Sequence, residues 1–260
     1  MKNNIGIITI GSYESKEIIL TIEKSYKLIN LIANDWIFIL MNAYEVEDFK
    51  IFKKNNPWFF SNLNIKIDCC DEGISASMNK GLKISNNNWT LMLHSGDYLI
   101  ENISEHKILN FIAKNKNYDV IVFGTKYVND KKIVGRSNHL NSFFKLPYEF
   151  SIPHQSTFIS RKLYDLQLYA NDIASSMDYD FFVRAKINKA KFKFINYYIT
   201  AFSLGGKSSN IYFSYRDLKK SLKRNLKKSF KRFYLINFNL KFILIKKYIF
   251  KCFYYLKRLL

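Results

Sequence analysis

Proline and cysteine are scarce in this 260-residue chain, with three of each. So little proline, with 48% hydrophobic and 24% charged residues, excludes a disordered or Pro-rich chain and fits one sizeable core. The cysteines are Cys69, Cys70 and Cys252. Neighbouring cysteines rarely bridge each other, and one distant partner makes no disulfide framework, so a reduced, cytoplasmic compartment is expected. The four histidines are scattered, without the Cys/His spacing of a zinc site. Long apolar runs are missing from the N-terminus: Ile5–Ile10 is broken by Gly6 and Thr9, which suits a first strand rather than a signal peptide. Acids are short as well, 21 against 41 Lys/Arg, for a net charge of +20.

What is present alternates. Apolar runs at Ile5–Ile10, Trp36–Leu40, Ile65–Ile67, Trp89–Leu93, Val120–Phe123 and Phe192–Ile199 predict strands. Between them, helical periodicity predicts helices near 15–32, 46–54, 75–84, 102–114 and 179–188. Strands alternating with helices predict an α/β fold, a mainly parallel sheet flanked by helices. Residues 125–160, with Pro147 and Pro153, are less regular, and no internal repeat is visible.

The densest motif is Asp71-Glu-Gly-Ile-Ser-Ala-Ser-Met-Asn-Lys-Gly81, followed by a buried strand and then Ser95-Gly96-Asp97. In open α/β sheets ligands bind outside the carboxyl ends of strands. A carboxylate there, beside a glycine, suits a divalent metal carrying phosphate oxygens. Three more pieces follow in order: Pro153-His-Gln-Ser-Thr-Phe158, Met177-Asp-Tyr-Asp-Phe-Phe-Val-Arg184 and Phe202-Ser-Leu-Gly-Gly-Lys-Ser208. Together, over roughly residues 3 to 210, they resemble family 2 glycosyltransferases of the GT-A (Rossmann-like) fold. The nearest likeness is to the branch that builds bacterial surface polysaccharides such as colanic acid. The resemblance implies an inverting hexosyltransferase-type enzyme. It would take a nucleotide-sugar donor, a UDP-sugar, with Mn2+ or Mg2+, and a glycan or lipid-linked glycan acceptor.

Carried onto this sequence, the resemblance makes Asp97 the metal ligand; the plain alternative is a turn cap. Ser95 and Gly96 stand with it on the donor side. Asp71 would hold the nucleotide base, since a carboxylate accepts the imide N–H of uracil, or else cap a turn. Asn79 and Lys80 follow on the helix, Lys80 meeting either phosphate or water. His154 and Gln155 match the family's His-Gln pair, near a sugar. Asp178 is the candidate general base, with Asp180 its competitor and helix capping the alternative. Gly205-Gly206 suggests a loop over the diphosphate, or only a turn. Two departures stand out. Leu40–Glu47 lacks the family's Asp, leaving Asn42 as the nearest stand-in, and Ser75-Ala76-Ser77 replaces an expected acid.

Residues 215–260 hold fifteen Lys/Arg and one acid, Asp217, a local charge of +14 that leaves +6 for the first 214. The boundary predicted on this basis divides a 1–214 catalytic domain from a 215–260 basic amphipathic helical tail. Leu218, Leu222, Leu226, Phe230 and Phe233 form an apolar stripe among the bases. Such a helix suits an anionic membrane surface, which would place the protein peripherally at the cytoplasmic face of the plasma membrane. A helix docked on the domain is the other reading. Lysines at 241, 246, 247 and 251 interrupt the later apolar residues, so no spanning helix is expected. No nucleic-acid motif accompanies the charge, so nucleic acid is not expected as a partner. A non-catalytic scaffold on the same fold and a nucleic-acid-binding protein are the rival functions.

Overall fold

The computed structural model describes residues 4–12, 16–100, 104–129, 132–146, 152–203 and 211–225. Strands β1 (Ile5–Gly11), β2 (Asp35–Leu40), β3 (Asn64–Cys69) and β4 (Trp89–Met92) pair in parallel, with β1 between β2 and β4. They are joined by helices α1 (Glu17–Ile32), α2 (Ala43–Asn55) and α3 (Ile74–Ile84). β2 and β4 are buried along their whole length, and apart from Asp35 and Thr90 they are apolar. Side chains alternate between two cores. Ile5, Ile7, Trp36, Phe38 and Leu40 face the core under α1 and α4 (Glu105–Lys114). Ile8, Ile10, Ile37 and Ile39 face the other, with Met78 and Leu82 of α3. The helix stripes match: Ile18, Ile22, Ile29 and Ile32 are buried on α1. Pro57 opens a 3-10 turn just beyond α2.

The second half is woven differently. β5 (Tyr98–Leu99), β6 (Val120–Asn129), β7 (Lys132–Arg136), β8 (Thr157–Ser160) and β9 (Phe192–Ser203) extend the sheet to the order β3-β2-β1-β4-β8-β6-β9-β5, with β7 on β6. β8 runs antiparallel between β4 and β6, and β9 is parallel to β6. The short helices α5 (Ser142–Lys145) and α6 (Arg161–Leu166) and the longer α7 (Met177–Ile187) cover this half. The sheet is therefore mixed but mainly parallel, as expected. The region 125–160 expected to be irregular contains the end of β6, all of β7 and all of β8.

The last described helix, α8 (Ile211–Asn225), crosses the predicted 214/215 boundary. Leu218, Ser221 and Leu222 are buried, and both leucines join the core that holds Phe181 and Phe182 of α7. The described part of the basic segment is thus docked on the domain, and Leu222 is not available to a bilayer. The exposed face carries Arg216, Lys219, Lys220, Lys223 and Arg224. Leu226, Phe230, Phe233 and the Gly205-Gly206 loop lie outside the described residues. Among the described residues, no helix is long and apolar enough to cross a membrane.

Candidate active site

The sheet order reverses at β1: the chain leaves to β2 and β3 on one side and returns to β4 on the other. The carboxyl ends of β1 and β4 border the crevice that such a switch point opens. Ser95-Gly96-Asp97 sits there. Leu93 and Ser95 donate their N–H groups to Ile8 and Ile10 at 2.9 and 3.0 Å, so the segment continues along β1. It then turns at Gly96, whose φ of +91° favours glycine. The Gly96 N–H donates to Thr21 Oγ1 at 2.9 Å, and its carbonyl accepts from Ser203 Oγ at 2.8 Å. Gly11 permits the close approach, because a Cβ there would lie 2.3 Å from Ser95 Cβ.

Asp97 is 4% exposed. Burial pushes its carboxyl well above the usual range, against a Ser203 N–H bond and with the Glu17 charge adding to the rise. No cation pairs with it among the described residues. The Ser95 hydroxyl is buried and also lacks a hydrogen-bond partner among them. A desolvated, uncompensated carboxylate beside an orphaned hydroxyl fits a bound cation with phosphate oxygens. No group of three or more His, Cys, Asp or Glu that could hold a metal occurs among the described residues. The remaining ligands would have to come from substrate and water.

On the same rim, Asp71 is exposed in the loop after β3, ahead of Gly73 at φ +100°. Glu45 adds an acid that the motif reading passed over. It is fully buried at the start of α2, and its Oε1 accepts from Ser12 Oγ at 2.6 Å and Asn42 Nδ2 at 3.4 Å. It therefore lies beyond the ends of β1 and β2. Its offset from Asn42, three residues on at a helix start, was the signal available in the sequence. Lys80 is turned to its own strand, donating to Asp68 at 2.9 Å and to the Cys69 carbonyl at 2.6 Å. Asn79 is buried and faces the connection 167–176. It donates to the Tyr169 carbonyl at 2.9 Å and to Asn171 Oδ1 at 3.0 Å, and it accepts from the Tyr169 N–H at 2.9 Å.

Two histidines link this rim to the other half. The His94 and His154 rings lie 5.7 Å apart. His154 Nε2 is 2.7 Å from the Tyr169 hydroxyl, and its ring meets Phe182 at 6.1 Å. Burial lowers His94 to about 4, and burial together with the His94 charge holds His154 well below its usual value. Both are neutral at physiological pH. Gln155 follows His154 in the same 3-10 turn.

Asp178 lies in the first turn of α7 and lines a cavity of about 70 Å³ with Tyr127, Leu146, Ile152, Pro153, Tyr179 and Phe182. Burial raises its carboxyl, against bonds from the backbone N–H of Tyr179 and its own. No cation pairs with it among the described residues. Asp180 faces the opposite way. It is fully buried and accepts from Arg184 Nε at 2.8 Å, Ser221 Oγ at 2.7 Å and Asn225 Nδ2 at 2.9 Å. Of the two acids, only Asp178 opens on a cavity.

No family model matches the chain, and no curated protein does. Solved structures do. S. aureus TarS 1-349 in complex with UDP superposes with a TM-score of 0.59 at 14% identity, over 86% of this chain and 67% of that one. The same fragment with UDP-GlcNAc gives 0.58 at 16% identity, over 86% and 68%. The mannosyltransferase PcManGT from Pyrobaculum calidifontis, with GDP-Man and Mn2+, gives 0.61 at 7% identity, over 88% and 66%. The fold of this chain is that of the GT-A glycosyltransferases.

Proposed function

We propose that this protein is an inverting glycosyltransferase. It moves a hexose from a nucleotide-diphosphate donor, a UDP-sugar, to a surface-glycan acceptor that is lipid-linked. The observation that carries the reading is the placement of Asp97, a buried carboxylate without a cation among the described residues, at the switch point of the sheet. Neighbours of the same fold were solved with UDP, UDP-GlcNAc and GDP-Man, which supports a nucleotide-sugar ligand for this crevice.

In this reading Asp97 holds Mn2+ or Mg2+, which when bound supplies countercharge to the leaving diphosphate. Asp71 accepts from the base, Glu45 closes the same rim, and the Ser95 hydroxyl donates to a phosphate oxygen beside Gly96. Lys80 fixes the strand end that presents Asp71, and Asn79 acts through its hold on residues 169–171. Asp178 removes the proton of the acceptor hydroxyl as that oxygen bonds to the anomeric carbon and the bond to the diphosphate breaks. Its raised pKa suits a base that must take a proton from an alcohol. His154, neutral and anchored by Tyr169, offers an uncharged hydrogen-bonding edge beside the sugar.

The test is a donor screen that follows thermal stabilisation with and without Mn2+. Stabilisation by a UDP-sugar that grows with Mn2+ in the wild type, and is lost in Asp97→Ala, supports the reading. Equal affinity in the mutant with Mn2+ present refutes the ligand assignment.

A further inference from the structure

The basic C-terminal stretch has a single acid, Asp217, and that acid is buried at 1% exposure. Its Oδ2 accepts the backbone N–H groups of Ala174 and Ser175 at 2.9 and 2.8 Å. These residues lie four and three positions ahead of Asp178. α8 also grips the connection at a second point, and the first turn of α7 beyond it. Lys220 and Arg224 pair with Asp172, and Ser221 and Asn225 hold Asp180. From the opposite side α3 holds the same connection: Ser75 Oγ donates to the Ile173 carbonyl at 3.1 Å, and Asn79 clamps Tyr169. Asp178 is therefore flanked at six, four and three residues before it, and two after it, by side chains of α8. A general base must be held within a fraction of an ångström of its working position.

We propose that α8 is a working part of the active site and that Asp217 is a positioning residue for Asp178. The inference rests on the reading of Asp178 as the base. Asp217 fixes the turn that launches α7, and Ser221 with Asn225 fixes its first turn through Asp180. Asp178 then projects into the cavity beside Tyr127. Tyr127 from β6 and Tyr179 from α7 line that cavity with it, and Tyr169 from the connection, its phenol raised chiefly by burial, also feels the Asp178 charge. The basic segment thus has an essential function in the domain in addition to any contact its exposed face makes.

The experiment uses the full chain and the variants Asp217→Ala, Asp217→Asn and Ser221→Ala, the last of which removes no charge. Asp165→Asn, an exposed acid on α6, is the control. Three readouts are taken: amide exchange at Ala174 and Ser175, the carboxyl 13C titration of Asp178 (assigned by its loss in Asp178→Asn), and kcat and KM with the donor that stabilises the protein. In Asp217→Ala the two amides should exchange at least about tenfold faster. The Asp178 midpoint should fall towards the ordinary carboxylate value in both Asp217→Ala and Ser221→Ala. In Asp217→Ala kcat should drop by about tenfold to a hundredfold with donor KM unchanged. Asp217→Asn, which keeps one acceptor, should recover part of the loss, and Asp165→Asn should match wild type. If the amides lose protection while the Asp178 titration and kcat stay at wild-type values, the proposal is overturned. If neither Asp217 variant folds, Ser221→Ala decides: a lowered Asp178 midpoint supports the proposal and an unchanged one overturns it. Full activity in Asp178→Asn would instead remove the base reading, and the titration and exchange data would still judge the hold of α8 on that residue.

Discussion

Asp97 and Asp178 are carboxylates that the fold holds at a cost. Burial raises both, so the folded protein binds their protons more tightly than the unfolded chain does. Their contribution to stability is then largest at low pH, and it falls as pH rises from 3.8, the ordinary aspartate value, through the raised folded values. His94 has the opposite sign. Its value drops from 6.5 to about 4, so stability is lost as pH falls through that window. Asp97→Asn should therefore raise the melting temperature in a chelating buffer at neutral pH, while lowering metal-dependent donor affinity at least about tenfold. A mutant that melts below wild type under those conditions would show that Asp97 is compensated inside the protein. The two acids of α7 separate in the same way. Asp178→Asn should reduce turnover about a hundredfold with no loss of stability, and with a gain at neutral pH of the same sign as for Asp97→Asn. Asp180→Ala should cost about 3 kcal/mol of stability by leaving Arg184 without its buried partner. Denaturant unfolding and kcat, measured on both, assign the roles; loss of turnover in a fully stable Asp180→Asn would reverse them. The residue types were legible in the sequence, but their directions were not. Asp178 and Asp180 differ by two positions in one motif, and only the packing of α8 shows which one is already occupied.

At the scale of elements, the connection 167–176 organises the second half of the site. It has no periodicity, so nothing in its sequence marks it as more than a loop. Yet Tyr169 is 3% exposed, stacks on Phe181 at 4.7 Å, and holds His154. Asn79→Ala removes an amide that satisfies both backbone groups of Tyr169. It should cost about 1–3 kcal/mol, the usual penalty for buried polar groups left unpaired. Donor binding at Asp97 should survive, and the His154 ring signals should shift, as NMR of the mutant would show. Unchanged His154 signals would mean that the clamp does not reach the site. The same reasoning explains which elements were legible. β1, β2 and β4 announce themselves because both faces are buried, and α1 by its regular isoleucines. β8 and β7 were missed: β8 is four residues long and follows a proline, and β7 is an edge strand whose Ile133 and Val134 are exposed. The pairing of β8 is set by distant β4 and β6, information that no local window contains, whereas β7 pairs with the adjacent β6 and is hidden by its exposed apolar residues instead.

For the whole molecule, the charge and the fold have to be reconciled. A +20 protein whose bases cluster in the last 46 residues looked divisible into an enzyme and a tail. The described helix of that segment instead contributes leucines to the core and an acid to the turn before Asp178. From Arg216 to Asn225 its exposed side chains are all cationic, so an anionic membrane would meet them through charge rather than through inserted leucines. Each Lys or Arg near such a surface contributes about 1 kcal/mol, and salt weakens it within a Debye length of about 10 Å at 0.1 M. Two truncations separate the roles. A chain ending at residue 225 keeps α8, so it should fold and turn over a soluble acceptor at close to the full rate. It should also bind vesicles of phosphatidylserine and phosphatidylcholine more weakly than the full chain, and with a shallower salt dependence, because it has lost ten of the fifteen bases. A chain ending at residue 210 loses Asp217, Leu218 and Leu222 and should be destabilised or unfolded. Sedimentation with vesicles and denaturant unfolding, run on both, decide the matter. If the shorter chain is as stable as the longer one, α8 is a detachable tail after all. If the chain ending at 225 sediments with anionic vesicles as strongly as the full protein, the residues beyond α8 add nothing to membrane attachment.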